Sequence, residues 1–144
     1  MLLGEYEHTI DDKNRITLPA RFRQDFTDGV VVTRDVDPCV VVFAPENWER
    51  YVGTRLGELN TFNREARQMR RYIFSSATEG ELDRQGRVTL PTVLMKFANL
   101  GRDVVIAGVE DHLEIWDPAA WRSQLEDVEG RADLVAERLA ATQS

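Results

Sequence analysis

The sequence predicts an α+β, mainly β, domain assembled from two internal repeats, and three observations carry this expectation. The stretch DDKNRITLP (residues 11–19) returns as LDRQGRVTLP (residues 82–91): Asp11, Arg15, Thr17, Leu18 and Pro19 reappear as Asp83, Arg87, Thr89, Leu90 and Pro91, each 72 positions on. Further along, VVVTRDVDPCVVVFAPENW (residues 30–48) lines up with DVVIAGVEDHLEIWDPAAW (residues 103–121) at a shift of 73, so one residue has been added between the blocks, near Asn99–Gly101. Within each copy the apolar segments are short, rich in β-branched residues and bounded by Gly, Pro, Asn and Asp, which is the punctuation of strands and turns.

The elements of a copy follow in order. Residues 5–10 and 14–18 flank a tight turn and read as a hairpin. Asn14 in the first copy and Gly86 in the second occupy the same turn position, and these are the residue types that tolerate φ > 0. Leu18 and Leu90 end the strand, and Pro19 and Pro91 suit the first position of a short helix. Strands are expected at Val30–Arg34 and Val40–Phe43, and in the second copy at Val104–Ala107 and Leu113–Trp116, with turns at Asp35–Pro38 and Gly108–Asp111. Pro45 and Pro118 then open helices that carry Trp48 and Trp121 on their first turn, both tryptophans reading as scaffold. Between the copies, TFNREARQMRRYIFS (residues 61–75) places Phe62, Ala66, Met69 and Ile73 near helical spacing, with arginines on other faces. The last fifteen residues read as a marginal helix or a frayed end. The division is residues 5–48 as repeat 1, 49–75 as a helical connector, 76–121 as repeat 2 and 122–144 as an acidic helical tail. A repeat of this size lies near the lower limit for independent folding. The two are therefore expected to join their apolar faces in one pseudo-two-fold body.

Composition narrows the functional classes. With 144 residues, 42% of them hydrophobic and 30% charged, the chain has the make-up of an ordinary globular domain. A single cysteine, Cys39, excludes an internal disulfide framework and fits a reducing cytoplasm. No targeting segment or membrane-length apolar run is visible, so no membrane partner is expected. The histidines, His8 and His112, occupy different positions in the two copies, and Cys39 adjoins an apolar run that suggests a packed thiol. No metal-ligand spacing, Gly-rich phosphate loop or catalytic constellation is present, so the expectation is a non-enzyme without metal or cofactor.

The formal charge of −7 is unevenly spread. Residues 110–144 hold nine acids and three bases, which leaves residues 1–109 close to neutral. Lys13, Arg15, Arg21 and Arg23 lie in an eleven-residue stretch without an acid, and Arg64, Arg67, Arg70 and Arg71 form a second cluster. The acidic tail masks these local basic patches, so overall charge is a poor guide to partners. The second cluster leaves a solvated helix face, a contact between subunits and a DNA contact all open.

The Asp-x-x-x-Arg pairs, Asp11/Arg15 and Asp83/Arg87, hold the candidate site. For the aspartates, with Asn14 and Gly86, the reading is structural: Asp accepts turn N–H groups or pairs with its Arg. An Arg just past a tight turn stands on a rigid support, and its guanidinium matches a phosphate or a guanine edge in a bidentate fork. Arg15 and Arg87 are thus the candidate nucleic-acid contacts, with Lys13, Arg84 and Arg21 near enough in sequence to add phosphate contacts.

Two such hairpins, each running into a Thr-Leu-Pro helix start about 70 residues apart, together with the opening MLLGEYEHTIDDKNRITLPARFR, closely resemble the bacterial MraZ proteins over residues 1–130. Asn14 departs from the commoner Gly of that pattern, a change the turn should tolerate. The resemblance implies an AbrB-like swapped-hairpin β-barrel with peripheral helices, formed from both copies of one chain. It further implies a nucleoid-associated transcriptional regulator in the cytoplasm, binding short direct repeats in double-stranded DNA upstream of its own gene, in the division and cell-wall gene cluster. Its implied assembly is a ring of about 8 to 12 subunits, and the arginines it ties to DNA match Arg15 and Arg87. The rival expectation is an antitoxin-like protein-interaction module that binds a protein instead of DNA.

Overall fold

The unbroken apolar runs at residues 30–32 and 40–43 enter a sheet covered on both faces, where a strand has no solvent side to alternate with. In the computed structural model, which describes residues 1–143, the order is β1 (Leu2–Thr9), β2 (Arg15–Thr17), α1 (Ala20–Arg23), β3 (Val30–Arg34), β4 (Val40–Phe43), α2 (Pro45–Tyr51), α3 (Arg64–Phe74), β5 (Thr78–Gly80), β6 (Arg87–Thr89), α4 (Thr92–Phe97), β7 (Asp103–Glu110), β8 (Leu113–Trp116), α5 (Pro118–Glu129) and α6 (Ala132–Gln143). Pro19 and Pro91 stand immediately before α1 and α4, at φ −50° and −57°. Pro45 and Pro118 open α2 and α5.

Six strands form one antiparallel sheet in the order β1-β7-β8-β4-β3-β5, and β2 pairs with β6 in a separate two-stranded ribbon. Each hairpin is exchanged between the copies. β1 of the first copy runs alongside β7 of the second, from Leu2 opposite Glu110 to Thr9 opposite Asp103. Its counterpart β5 runs alongside β3 of the first copy. The turn after β1 closes locally, with the Asp11 N–H on the Arg15 carbonyl at 2.9 Å and a single bridge between Ile10 and Ile16. Beyond that point the expected local ladder is replaced by pairing with the other copy. At the centre of the ribbon Ile16 faces Val88, and at the centre of the sheet Val41 faces Glu114. Each of these pairs joins equivalent positions of the two copies, so the pseudo-two-fold axis passes through both.

The strands do not close into a hydrogen-bonded ring: β1 and β5 remain edges, and the ribbon closes the body by packing. Ile16, Leu18, Val88 and Leu90 share a buried cluster with Phe22, Leu94, Val30, Val32, Ile106 and Ile115 on one sheet face. The alternate residues Val31, Val41, Phe43 and Trp116, with Cys39, form the core of the other face, covered by Trp48 and Tyr51 of α2 and by Ala120 and Trp121 of α5. The ribbon and the acidic helix α5 therefore lie on opposite sides of the sheet. Burying each such side chain contributes roughly 1.5–3 kcal/mol, which neither copy alone could assemble around one sheet face.

Two local expectations are corrected. Gly108 is not part of a turn: β7 continues through it, opposite Gly4, and a Cβ on Gly108 would lie 2.6 Å from the Leu3 nitrogen. Glycine is there to let β1 approach. Phe62 is 93% exposed ahead of α3, because Asn63 caps that helix by accepting from the N–H groups of Glu65 and Ala66. Of the two readings of the last stretch, a marginal helix or a frayed end, the structure shows helix over Ala132–Gln143, with none of its residues buried.

Candidate nucleic-acid interface

Each tip of the exchanged hairpins is built by one aspartate. Asp11 Oδ1 accepts the backbone N–H groups of Lys13 (2.9 Å) and Arg15 (2.8 Å), while Oδ2 accepts Arg15 Nε at 2.8 Å. Asp83 repeats the pattern with Gln85 N–H and Arg87 N–H, both at 2.9 Å, and Arg87 Nε at 2.6 Å. The backbone N–H of Arg15, first among the causes, holds Asp11 below the usual carboxylate value despite partial desolvation, and Arg87 does the same for Asp83. Asn14 and Gly86 adopt φ 59° and 77°, the left-handed conformation that turns the chain back. Their carbonyls then bind across the axis, Asn14 accepting from Leu90 N–H at 2.8 Å and Gly86 from Leu18 N–H at 2.9 Å. The two tips are thereby locked at opposite ends of the antiparallel β2–β6 ribbon.

The ribbon has two unlike faces. Ile16 and Val88 point into the core, so Arg15, Thr17, Arg87 and Thr89 share the opposite face by strand alternation. Arg15 lies opposite Thr89 and Thr17 opposite Arg87, which makes the two arginines diagonal neighbours, a relation in which strand residues are usually about 7–8 Å apart. Both guanidinium groups are held through Nε. Arg87 also donates from Nη2 to Gln85 Oε1 at 3.2 Å, whereas the Nη groups of Arg15 bond to no described residue. An arginine anchored through Nε presents its paired Nη groups outward in one orientation, the geometry that suits a planar anion or a guanine edge.

The remaining candidates are placed as follows. Lys13 and Arg84 are exposed on the two tips. Arg21 is exposed on α1, with Nη1 donating to the Tyr6 hydroxyl and the guanidinium 5.9 Å from the Tyr6 ring. Arg23 was absent from the candidate residues, because nothing in a linear reading shows that it crosses to the second tip. Its Nε donates to the Leu18 carbonyl at 3.0 Å, and its side chain lies directly on Gly86. In the other basic cluster, Arg67 and Arg70 donate to the carbonyls of Thr61 and Leu56, while Arg64 and Arg71 are exposed.

Burial, with Glu114, Asp37 and Asp35 nearby, pushes the Cys39 thiol far up. No group of three His, Cys, Asp or Glu side chains among the described residues could hold a metal, and no helix among them is long and apolar enough to cross a membrane. His112 bridges Asp111 (2.7 Å) and Glu114 (2.9 Å), and Trp116 Nε1 donates to Glu114 at 3.0 Å. Burial alone would lower the His112 pKa, but these carboxylates outweigh it and raise it. A folded-state pKa above the unfolded value adds stability below the unfolded pKa of about 6.5 and loses it as pH rises through the folded one. The urea midpoint should therefore be lower at pH 8.5 than at pH 6, and His112→Gln should flatten the difference. An unchanged pH dependence in that variant would remove His112 from the account.

Comparison with known proteins agrees with this architecture. The family described as "MraZ protein, putative antitoxin-like" matches the chain twice, over residues 1–72 and 73–141. A protein of Roseiflexus castenholzii named "Transcriptional regulator MraZ" is 46% identical over 140 residues, 97% of either chain. Proteins of the same name from Thermomicrobium roseum and Moorella thermoacetica are each 39% identical, covering 97% and 96% of this chain and 98% and 96% of their own length. With a tandem match over nearly its whole length and relatives this similar, the chain belongs to the MraZ family.

Proposed function

We propose that the protein is a transcriptional regulator that binds double-stranded DNA through the outward face of the β2–β6 ribbon. The observation that carries this reading is the pair Arg15 and Arg87, brought onto one face by the exchanged hairpins and aimed by Asp11 and Asp83. The printed name of the relatives supports the regulatory role. Lys13 and Arg84 add phosphate contacts from the tips, and Arg21 adds one from α1. The acidic helix α5, across the sheet, faces away from the phosphates that would repel it.

One ribbon with a few cations binds weakly, since each phosphate contact acts mainly by releasing counterions. We infer that a ring of about 8 to 12 subunits supplies the missing affinity. Direct repeats upstream of the protein's own gene, spaced near one helical turn, let adjacent subunits bind together at effective concentrations in the millimolar range. The exposed Phe62, Val93, Leu134 and Leu139 offer apolar surface for contacts between copies. The setting is the nucleoid in the cytoplasm.

A second reading, an antitoxin-like module that binds a protein, draws on the family description and the acidic balance of the chain. Salt separates the two. A gel-shift series against the upstream DNA should show log affinity falling linearly with log salt, with a slope of about −0.9 per phosphate contacted. No shift at low salt would discard DNA binding and leave the protein-binding reading.

A further inference from the structure

The ribbon obeys the pseudo-two-fold, but its flanks do not. Positions 21, 23 and 84 correspond to 93, 95 and 12 at the 72-residue shift, so the counterparts of Arg21, Arg23 and Arg84 are Val93, Met95 and Asp12. Because the hairpins are exchanged, Arg23 of α1 lies beside the tip that carries Arg84, and cations from both copies gather on one side. Lys13 and Lys96, which correspond to Gln85 and Gln24, lie on the other side, and the Arg23 side also carries the acids Asp25 and Glu81, which correspond to Phe97 and Thr9, so the one-sidedness lies in the position of the arginines.

Arg23 is placed by the second tip. Leu18 donates its N–H to the Gly86 carbonyl at 2.9 Å and accepts Arg23 Nε at 3.0 Å, so one residue fixes both the tip and the guanidinium. A Cβ at Gly86 would come within 2.3 Å of Arg23 Nε and 2.7 Å of its Cζ. Glycine at this position therefore provides the seat for Arg23 as well as the turn. At the first tip the equivalent Asn14 carries a side chain, which reaches Thr92 Oγ1 at 3.4 Å. Arg23, Arg84 and Gly86 line a shallow concavity with Thr27, Glu81 and Asp83. Asp83 is engaged by Arg87, while Arg84 is exposed and bonds to no described residue.

We propose that this Arg23–Gly86–Arg84 surface is a further contact for the sugar-phosphate backbone of duplex DNA, and that its presence on one side only fixes the direction in which the protein lies on the duplex. The proposal rests on the ribbon being the DNA interface. A truly two-fold body would bind a site equally well either way round. Direct repeats have a direction, and a one-sided cationic flank makes one orientation the stronger.

The test uses full-length protein and a duplex from upstream of its own gene. Arg23→Met, which installs the residue of the other copy, and Arg84→Gln, at an exposed position without bonds, should each weaken binding several-fold and reduce the salt slope by about 0.9. An iron chelate on an engineered Asp25→Cys should cleave one flank of a single repeat in the otherwise unaltered protein. In the combined Arg23→Met/Arg84→Asp background it should cleave both flanks. Unaltered slopes and one-sided cleavage in all variants overturn the proposal while the ribbon reading stands. Failure of the unaltered protein to shift the duplex removes both.

Discussion

Replacing Arg15 with Ala should abolish the mobility shift of the upstream DNA and leave the size-exclusion profile of the protein unchanged. The side chain can be removed without dismantling the tip, because Asp11 keeps the backbone N–H groups of Lys13 and Arg15, and Ile16 still fills the core. What disappears is an oriented pair of Nη donors. A bidentate contact of this kind accounts for about 1–3 kcal/mol, or roughly five- to 150-fold per site, and the loss multiplies where several subunits hold one DNA. Arg87→Ala should act in the same direction with a smaller effect, since Arg87 already shares Nη2 with Gln85. Arg15→Lys should restore little, because an ammonium keeps the charge but cannot hold Asp11 and present a planar fork together. If the Ala variant lost its assembly state instead, Arg15 would be a structural residue and the interface would have to be sought elsewhere.

How much of this could be read in the chain depended on the range of the interaction. The tips are local: the Asp of the Asx-type turn, the residue that accepts positive φ and the Arg that the Asp holds lie within five positions, so DDKNR and DRQGR announce them. Prolines before short helices and the buried valine runs are equally local signals. Strand partners are another matter. Period-two patterning states which face of β1 is buried but not which strand lies beside it, and the exchange with β7 followed only from resemblance to a family. Gly108 looked like a turn residue because a glycine required for close approach by β1 and one required for a turn have the same letter. Arg23 was visible as charge, yet its seat on Gly86 depends on a crossing between copies that spacing cannot express. The His112–Glu114–Trp116 network was hidden similarly, since alternation showed a strand but not its hydrogen-bonded side chains.

The exchange itself yields the largest expected structural effect. Expressed apart, residues 1–76 and 77–144 should each fail to give a folded monomer, and mixing them should give a one-to-one complex with a cooperative unfolding transition. In the whole chain β1 relies on β7, β5 on β3 and β2 on β6, so a lone half exposes unpaired strands and half a core. The two halves should nevertheless behave differently on their own. At the centre of the sheet Val41 faces Glu114, so a dimer of first halves would set Val41 against Val41, whereas a dimer of second halves would oppose two partly buried glutamates. Like charges directly opposite one another on neighbouring strands are destabilising. Sedimentation should accordingly find the first half able to self-associate and the second half unfolded, with Glu114→Val allowing the second half to dimerise. A cooperatively unfolding monomer from either half would show that the copies fold independently, and the side-by-side placement of Arg15 and Arg87 would then need another cause.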